Sequence, residues 1–318
     1  MDPLTHNTLL GSWATLLLTT TNSGQIDFHL LEEEIDILIS SSPEGIYSNG
    51  TAGEFYAQTE NEFLQISECL AAKCENAGIP FQIGVSHMSA QISLDRLLRI
   101  KHLRPGAVQV ILPDWFPVSI EEAILFMKRM EEVADGIPLV LYNPPHAKRI
   151  LSPCQWMEIK RNVPSLIGVK VSDQLRNFDW YKEVKEYVEG ISVFIPGHRL
   201  ATGLSHGAHG TYSNMACLNP FAAHKWYQLI RSNPAEGLAF EQRILTFMET
   251  WINPFIADLN YPNHACDRFM ALVGGWADIG NGYLRWPYRS IPETYIKEVR
   301  VEGKKLIPEF LSADHIIN

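Results

Sequence analysis

Positive charge is scarce in this chain: 26 Lys and Arg stand against 36 Asp and Glu, a formal net charge of −10, with no basic run or stripe. That balance excludes nucleic acid or an anionic membrane surface as the main partner. Long apolar runs are missing too. The segment ATLLL (14–18) is too short for a membrane span and no basic region precedes it, so neither a spanning helix nor a signal peptide is expected. Cysteine is limited to five, an odd number, with Cys69 and Cys74 five apart and Cys154, Cys217 and Cys266 isolated. None of this is zinc-knuckle spacing, and reduced thiols in a cytoplasmic protein are the expectation. His206 and His209 lie three apart without a third residue at ligand spacing, so no metal and no other cofactor is expected. There is no G-x-G-x-x-G turn, no Gly/Ser linker and no low-complexity segment.

What remains is a chain of 318 residues, 46% apolar and 19% charged, long enough to bury one large core. Short β-rich runs alternate with helical periodicity. The runs are WATLLLT (13–19), GIYSN (45–49), FQIGVS (81–86), AVQVIL (107–112), PLVLYN (138–143), LIGVKV (166–171), ISVFIP (191–196) and HGTYSN (209–214). Helices are expected near 28–41, 59–76, 91–103, 119–134, 153–162, 175–188, 199–206 and 217–231. Continuous apolar strands alternating with amphipathic helices imply a parallel sheet, and eight such units fit a closed (β/α)8 TIM barrel over 1–232 that carries the active site. Residues 233–318 read as a C-terminal helical extension, with patterns near 235–257 and 263–277 and a last helix from about Pro292.

In such a barrel chemistry belongs at the C-terminal strand ends. Lys170 lies near the end of strand six, inside SLIGVKVSD, and Tyr142 ends strand five. A lysine among Ile167, Val169 and Val171 either pairs with a carboxylate or is desolvated toward the neutral amine that attacks carbonyl carbon. Its convergence with Tyr142, with SNGTAGEF (48–55) after strand two, with LPDWFP (112–117) after strand four and with PGHRL (196–200) after strand seven favours imine chemistry. In GTAGE two glycines flank a turn whose N–H groups suit a carboxylate, and Thr51 adds a hydroxyl able to relay a proton to Tyr142.

These segments resemble those of the dihydrodipicolinate synthase / N-acetylneuraminate lyase family of Schiff-base aldolases and lyases. GTAGEFYAQTENEF is similar to its G-[TS]-T-G-E stretch and following helix start, VLYNPP to its Y-N-x-P, and LIGVKVSD to its strand-six lysine segment. GHRLATGLSHGAHGTYSN and GYLRWPYRSI match later stretches, so the likeness covers nearly the whole chain. The resemblance implies that Lys170 forms an imine with the 2-oxo carbon of pyruvate or a larger 2-oxo acid and that Tyr142, assisted by Thr51, moves protons. It further implies that the N–H groups of Thr51 and Ala52 hold the carboxylate and that Gly197 and Tyr212 surround the imine. A homo-oligomer, dimer or tetramer, with a small 2-oxo acid as its ligand is implied in the same way.

The departures point to a substrate other than that of the synthase. Ala52 replaces the second hydroxyl of G-T-T-G-E, Asp114-Trp115 stand where the synthase has a tyrosine pair, and Val171-Ser172 follow the lysine. The synthase's carboxylate-binding arginine aligns with Ala147, leaving Lys148 and Arg149 one and two residues late. Asp114, Trp115, His146, Arg149, His198 and Arg199 are the expected specificity residues, and a hydroxylated sugar acid or a short acid with a second anionic group would suit them. Retro-aldol cleavage of a 2-keto-3-deoxy acid, or its reverse, is the leading expectation. Dehydration or deamination of a keto-deoxy sugar acid or cyclic imino acid through the same imine is the alternative. Dihydrodipicolinate synthesis and a non-catalytic 2-oxo-acid-binding role stand further back.

Overall fold

A computed structural model describes residues 1–172 and 178–311. Eight parallel strands close in sequence order into a barrel. They are β1 (Gly11–Thr15), β2 (Gly45–Ser48), β3 (Phe81–Gly84), β4 (Ala107–Val110), β5 (Leu139–Asn143), β6 (Leu166–Val171), β7 (Ser192–Phe194) and β8 (Gly210–Tyr212). Closure comes from Gly11 to Trp13 pairing with Gly210 to Tyr212. Around them run α1 (Phe28–Ser40), α2 (Glu60–Ala77), α3 (Ala90–Ile100), α4 (Ile120–Ala134), α5 (Pro153–Asn162), α6 (Phe178–Tyr187) and α7 (Leu200–Ser205). The expected TIM barrel is therefore present. The start of helix six expected at 175 falls outside the described residues.

Local chemistry sets the helix ends. Thr59 and Glu62 close a capping box on α2, Ser119 and Glu122 on α4, and Ser152 and Gln155 on α5, where Pro153 adds a first-turn proline. Apolar faces of these helices and outward strand residues form one continuous core, with Leu38, Phe63, Ile83, Leu97, Val110, Leu141 and Val169 fully buried.

Three expectations shift. β1 ends at Thr15 rather than residue 19, because the Leu17 amide donates to the Glu34 carboxylate at 2.8 Å instead of to a strand. The single helix expected over 217–231 is broken into α8 (Asn214–Leu218) and α9 (Pro220–Ser232), since Pro220 has no N–H and the extended Asn219 caps the second piece. The run 235–257 becomes α10 (Pro234–Phe247), a π-turn at Met248–Ile252 and α11 (Asn253–Ala257), where Pro254 withholds a donor. α12 (Asn263–Gly274), α13 (Ile296–Leu306) and α14 (Pro308–Leu311) follow, and α12 packs on α8 beside the barrel mouth.

One irregularity positions the lysine. β5 and β6 pair Leu139 with Leu166, then slip, so that Val140 faces Gly168 and Tyr142 faces Lys170. Without the extra residue Tyr142 would pair with Val169. In a structure of period two, that slip turns Lys170 to the barrel interior beside Tyr142 and Phe194.

Candidate active site

The barrel interior is aromatic and polar toward its C-terminal end. Trp13, Tyr47, Val140, Ile167, Phe194 and Tyr212 form its packed lower layer. Tyr212 donates to Gln82 Oε1 at 2.6 Å, and Tyr47 donates to Gln109 Oε1. Above this layer opens a cavity of about 400 Å³. Lys170, Tyr142, Thr51, Ala52, Gly197 and Tyr212 all line it, as do His146 and His198. Sequence positions from β2, β5, β6, β7 and β8 thus meet at one mouth.

The Lys170 ammonium stands 4.2 Å from the Tyr142 ring centroid, 5.2 Å from that of Tyr212 and 5.5 Å from that of Tyr47. No hydrogen bond runs from its Nζ to any described residue. Aromatic faces attract a cation but replace little of its hydration. Burial accordingly pushes the amine down from 10.5 to about 8, against the opposing pull of Asp267. Burial also raises the Tyr142 phenol to about 12 and keeps it protonated, and the Thr51 hydroxyl reaches its oxygen in a long 3.4 Å contact.

The turn after β2 is held from both sides. Glu54, at φ +51, donates its N–H to the Thr51 carbonyl, and Phe55 N–H donates to Gly50. The Glu54 carboxylate accepts the Arg285 N–H at 2.8 Å and lies 3.5 Å from the buried Arg268 guanidinium. This fixes the turn while the N–H groups of Thr51 and Ala52, which donate to no described acceptor, stay open for an anion. On the opposite wall the His198 amide donates to Asn214 Oδ1 at 3.1 Å, and Asn214 Nδ2 donates to His198 Nδ1 at 3.0 Å. Burial and the neighbouring Arg199 push His198 down to about 4, so it is neutral and carries its proton on Nε2. Gly197 has no space for a side chain, since a Cβ would come within 2.7 Å of Asn214 Oδ1 and Ser213 Oγ.

Four expected specificity residues stand outside this cavity. Asp114 Oδ1 accepts the Lys148 N–H at 3.0 Å, and the Lys148 ammonium binds the Trp115 carbonyl at 2.7 Å and lies over its ring. This short-range pairing ties the β4 and β5 loops together and leaves Trp115 70% exposed. Arg149 packs its backbone against Asn143, and Arg199 is placed by its field near Glu241. Conversely, sequence reasoning missed Tyr47, Asn214, Cys217, Asn263 and Asp267, all lining the cavity. The signal for Asp267 was present: Asp267-Arg268 is a charged pair inside the otherwise apolar CDRFMALV. Among the described residues no helix is long and apolar enough to cross a membrane, and no cluster of potential metal ligands occurs. The five thiols are unpaired.

A sequence profile of the Dihydrodipicolinate synthetase family matches residues 8–266. The N-acetylneuraminate lyase of Salmonella typhimurium is 28% identical over 95% of this chain and 98% of its own length. The 4-hydroxy-tetrahydrodipicolinate synthase of Macrococcus caseolyticus is 26% identical over 89% of this chain and 92% of its own. Among solved structures, the pyruvate complex of YagE, a prophage protein from E. coli K12, superimposes with a TM-score of 0.82 at 18% identity, covering 94% of this chain and 98% of that one. The sialic acid aldolase of Ruminococcus gnavus, solved as a catalytic lysine mutant, gives 0.80 at 16% identity over 97% and 98%.

Proposed function

The chain belongs to the dihydrodipicolinate synthetase family, and from that premise we propose that it is a lyase that holds a 2-oxo acid as an imine on Lys170. The observation that carries this reading is the lysine itself: an amine lowered to about 8, ringed by Tyr142, Tyr212 and Tyr47 at the floor of a cavity. The substrate carboxylate seats on the Thr51 and Ala52 N–H groups. The neutral amine adds to C2, water leaves, and the protonated imine accepts the electron pair of the C3–C4 bond. An enamine of pyruvate forms as the C4 hydroxyl gives its proton to the Tyr142 oxygen, which passes its own proton on to C3 of the enamine, and C4 becomes the aldehyde. Tyr142 lies beside the reacting nitrogen and carries protons to and from C3, with Thr51 as its neighbour.

The far end of the cavity favours a neutral, hydroxylated substrate tail. The described lining offers His198, His146, Asn214, Asn263 and Ser172, and Lys170 is the only lysine or arginine in it. The described lining holds no cation other than Lys170 to pair a second anionic group, so a neutral tail is favoured over the two-anion acid considered from sequence. Exposed Trp115 and Phe116, at 70% and 75%, suit burial in a homo-oligomer.

The test is a panel of 2-keto-3-deoxy sugar acids with neutral tails, followed for pyruvate and aldehyde. Release of both by wild type and not by Lys170→Ala supports cleavage. A 2-oxo product formed without pyruvate would replace cleavage by dehydration, and no turnover of any member would remove the lyase reading.

A further inference from the structure

Asp267 has no place in the chemistry derived so far, yet it lines the same cavity as Lys170. It comes from α12, outside the eight strand–helix units, and is only 8% exposed. Its carboxylate accepts no hydrogen bond from any described residue and makes no ion pair with Lys170. A buried carboxylate left open in this way is costly unless something in the cavity uses it. The residue that follows it shows the contrast: Arg268 turns away and binds the carbonyls of Leu18 and Asn281 at 2.6 and 2.7 Å. The α12 backbone is thereby anchored to the segment that follows β1 and to the chain that follows α12, and Asp267 is held toward the mouth by a neighbour that is fixed.

We propose that Asp267 is the proton exchanger for imine formation: it takes a proton from the Lys170 ammonium and returns it to the carbinolamine hydroxyl that leaves as water. This rests on the imine reading above. The balance is closed. Ammonium and carboxylate become amine and carboxylic acid; the amine adds to C2, and one of its protons passes to the former carbonyl oxygen. Asp267 then protonates that hydroxyl, the C–O bond breaks with its electron pair leaving on water, and an iminium and a carboxylate remain.

Electrostatics agrees with this placement. Burial raises Asp267 to about 6, and Lys170 pulls it back down. Lys170 on β6, Tyr142 on β5 and Cys217 on α8 line the cavity with it, and its charge is also felt by Tyr56 after β2 and Cys266 on its own helix. Of these, Lys170 is the one that carries charge near neutral pH. Both partners therefore exchange a proton within the range where the amine must become neutral.

The experiment uses the full chain, pyruvate as probe and borohydride trapping over pH 5.5–9, comparing wild type with Asp267→Asn and Asp267→Ser. Circular dichroism establishes that each variant is folded. The expected result is a trapping rate at least tenfold lower in both variants, with saturation by pyruvate at similar concentration. The pH midpoint for cyanate modification of Lys170, read by peptide mass, should also fall, because the anion that favours the ammonium is gone. Variants that trap at the wild-type rate with an unmoved Lys170 midpoint would overturn the role of Asp267 while leaving the imine intact. Wild type that forms no adduct with pyruvate would overturn both readings together.

Discussion

Arg268 and Lys170 stand at the same end of the molecule, the first fully buried and the second half-buried at the cavity, and their surroundings differ. Arg268 is 2% exposed, and its two Nη groups bind the carbonyls of Leu18 and Asn281 and the Thr20 hydroxyl, with the Glu54 carboxylate 3.5 Å away. Only its Nε lacks a partner. Lys170 has aromatic faces and no described hydrogen-bond acceptor. The first arrangement stabilises a charge, and joins β1, the turn after β2 and the C-terminal helices into one scaffold. The second disfavours the charge and leaves an amine near 8. Fold and chemistry thus use buried positive groups in opposite ways, and the distinction lies in whether oxygen atoms surround the nitrogen.

Substitutions can break this comparison from either side. Arg268→Met takes from Glu54 the guanidinium beside it and frees four backbone or hydroxyl acceptors, so a loss of about 3–5 kcal/mol is expected, measured by urea unfolding. Tyr142→Phe keeps the ring face toward Lys170 and removes the phenol. Turnover should fall on the order of 10²–10³-fold while borohydride trapping persists, which separates proton transfer from imine formation.

Lys170→Met should act in the reverse direction to Arg268→Met. The Lys170 amine is lowered from 10.5 to about 8 on folding. Below about 8 both folded and unfolded chains hold the proton, and the cost of the buried ammonium is fully present. Between 8 and 10.5 the unfolded chain binds a proton the folded one lacks, so stability rises with pH through that window. The methionine variant should be more stable at pH 7 by roughly 1–3 kcal/mol and lack that rise, read from thermal unfolding across pH. The smallest effect is expected at Trp115, outside the cavity: Trp115→Ala should change kcat/KM of the monomeric site by less than about twofold. A large loss accompanied by a change in sedimentation would instead tie this residue to the site through a neighbouring copy.

Much of this arrangement could be read along the chain because the strands are covered on both faces. Runs such as AVQV and LVLYN are apolar at most positions, and serine or threonine followed three residues later by glutamate marks the starts of α2 and α4. Lys170, Tyr142 and Thr51 were accessible for the same reason, as polar groups at the ends of those runs. The β5–β6 slip was not, since Ile167 and Val169 are equally apolar and nothing local tells which faces inward. Asp267 escaped because its partners lie about a hundred residues or more away, on β5 and β6. Asp114 and Trp115 stand at the rim rather than in the cavity, paired there with Lys148 of the next loop, a pairing that no pattern along the chain announces.

The central claim is tested most directly by borohydride reduction in the presence of pyruvate, with intact mass and peptide mapping of wild type beside Lys170→Arg. The account predicts one reduced adduct per chain, located on Lys170 and lost in the variant, whose permanently charged guanidinium cannot form it. An adduct on another lysine, or one that survives Lys170→Arg, would contradict it and return Lys170 to the same structural class as Arg268.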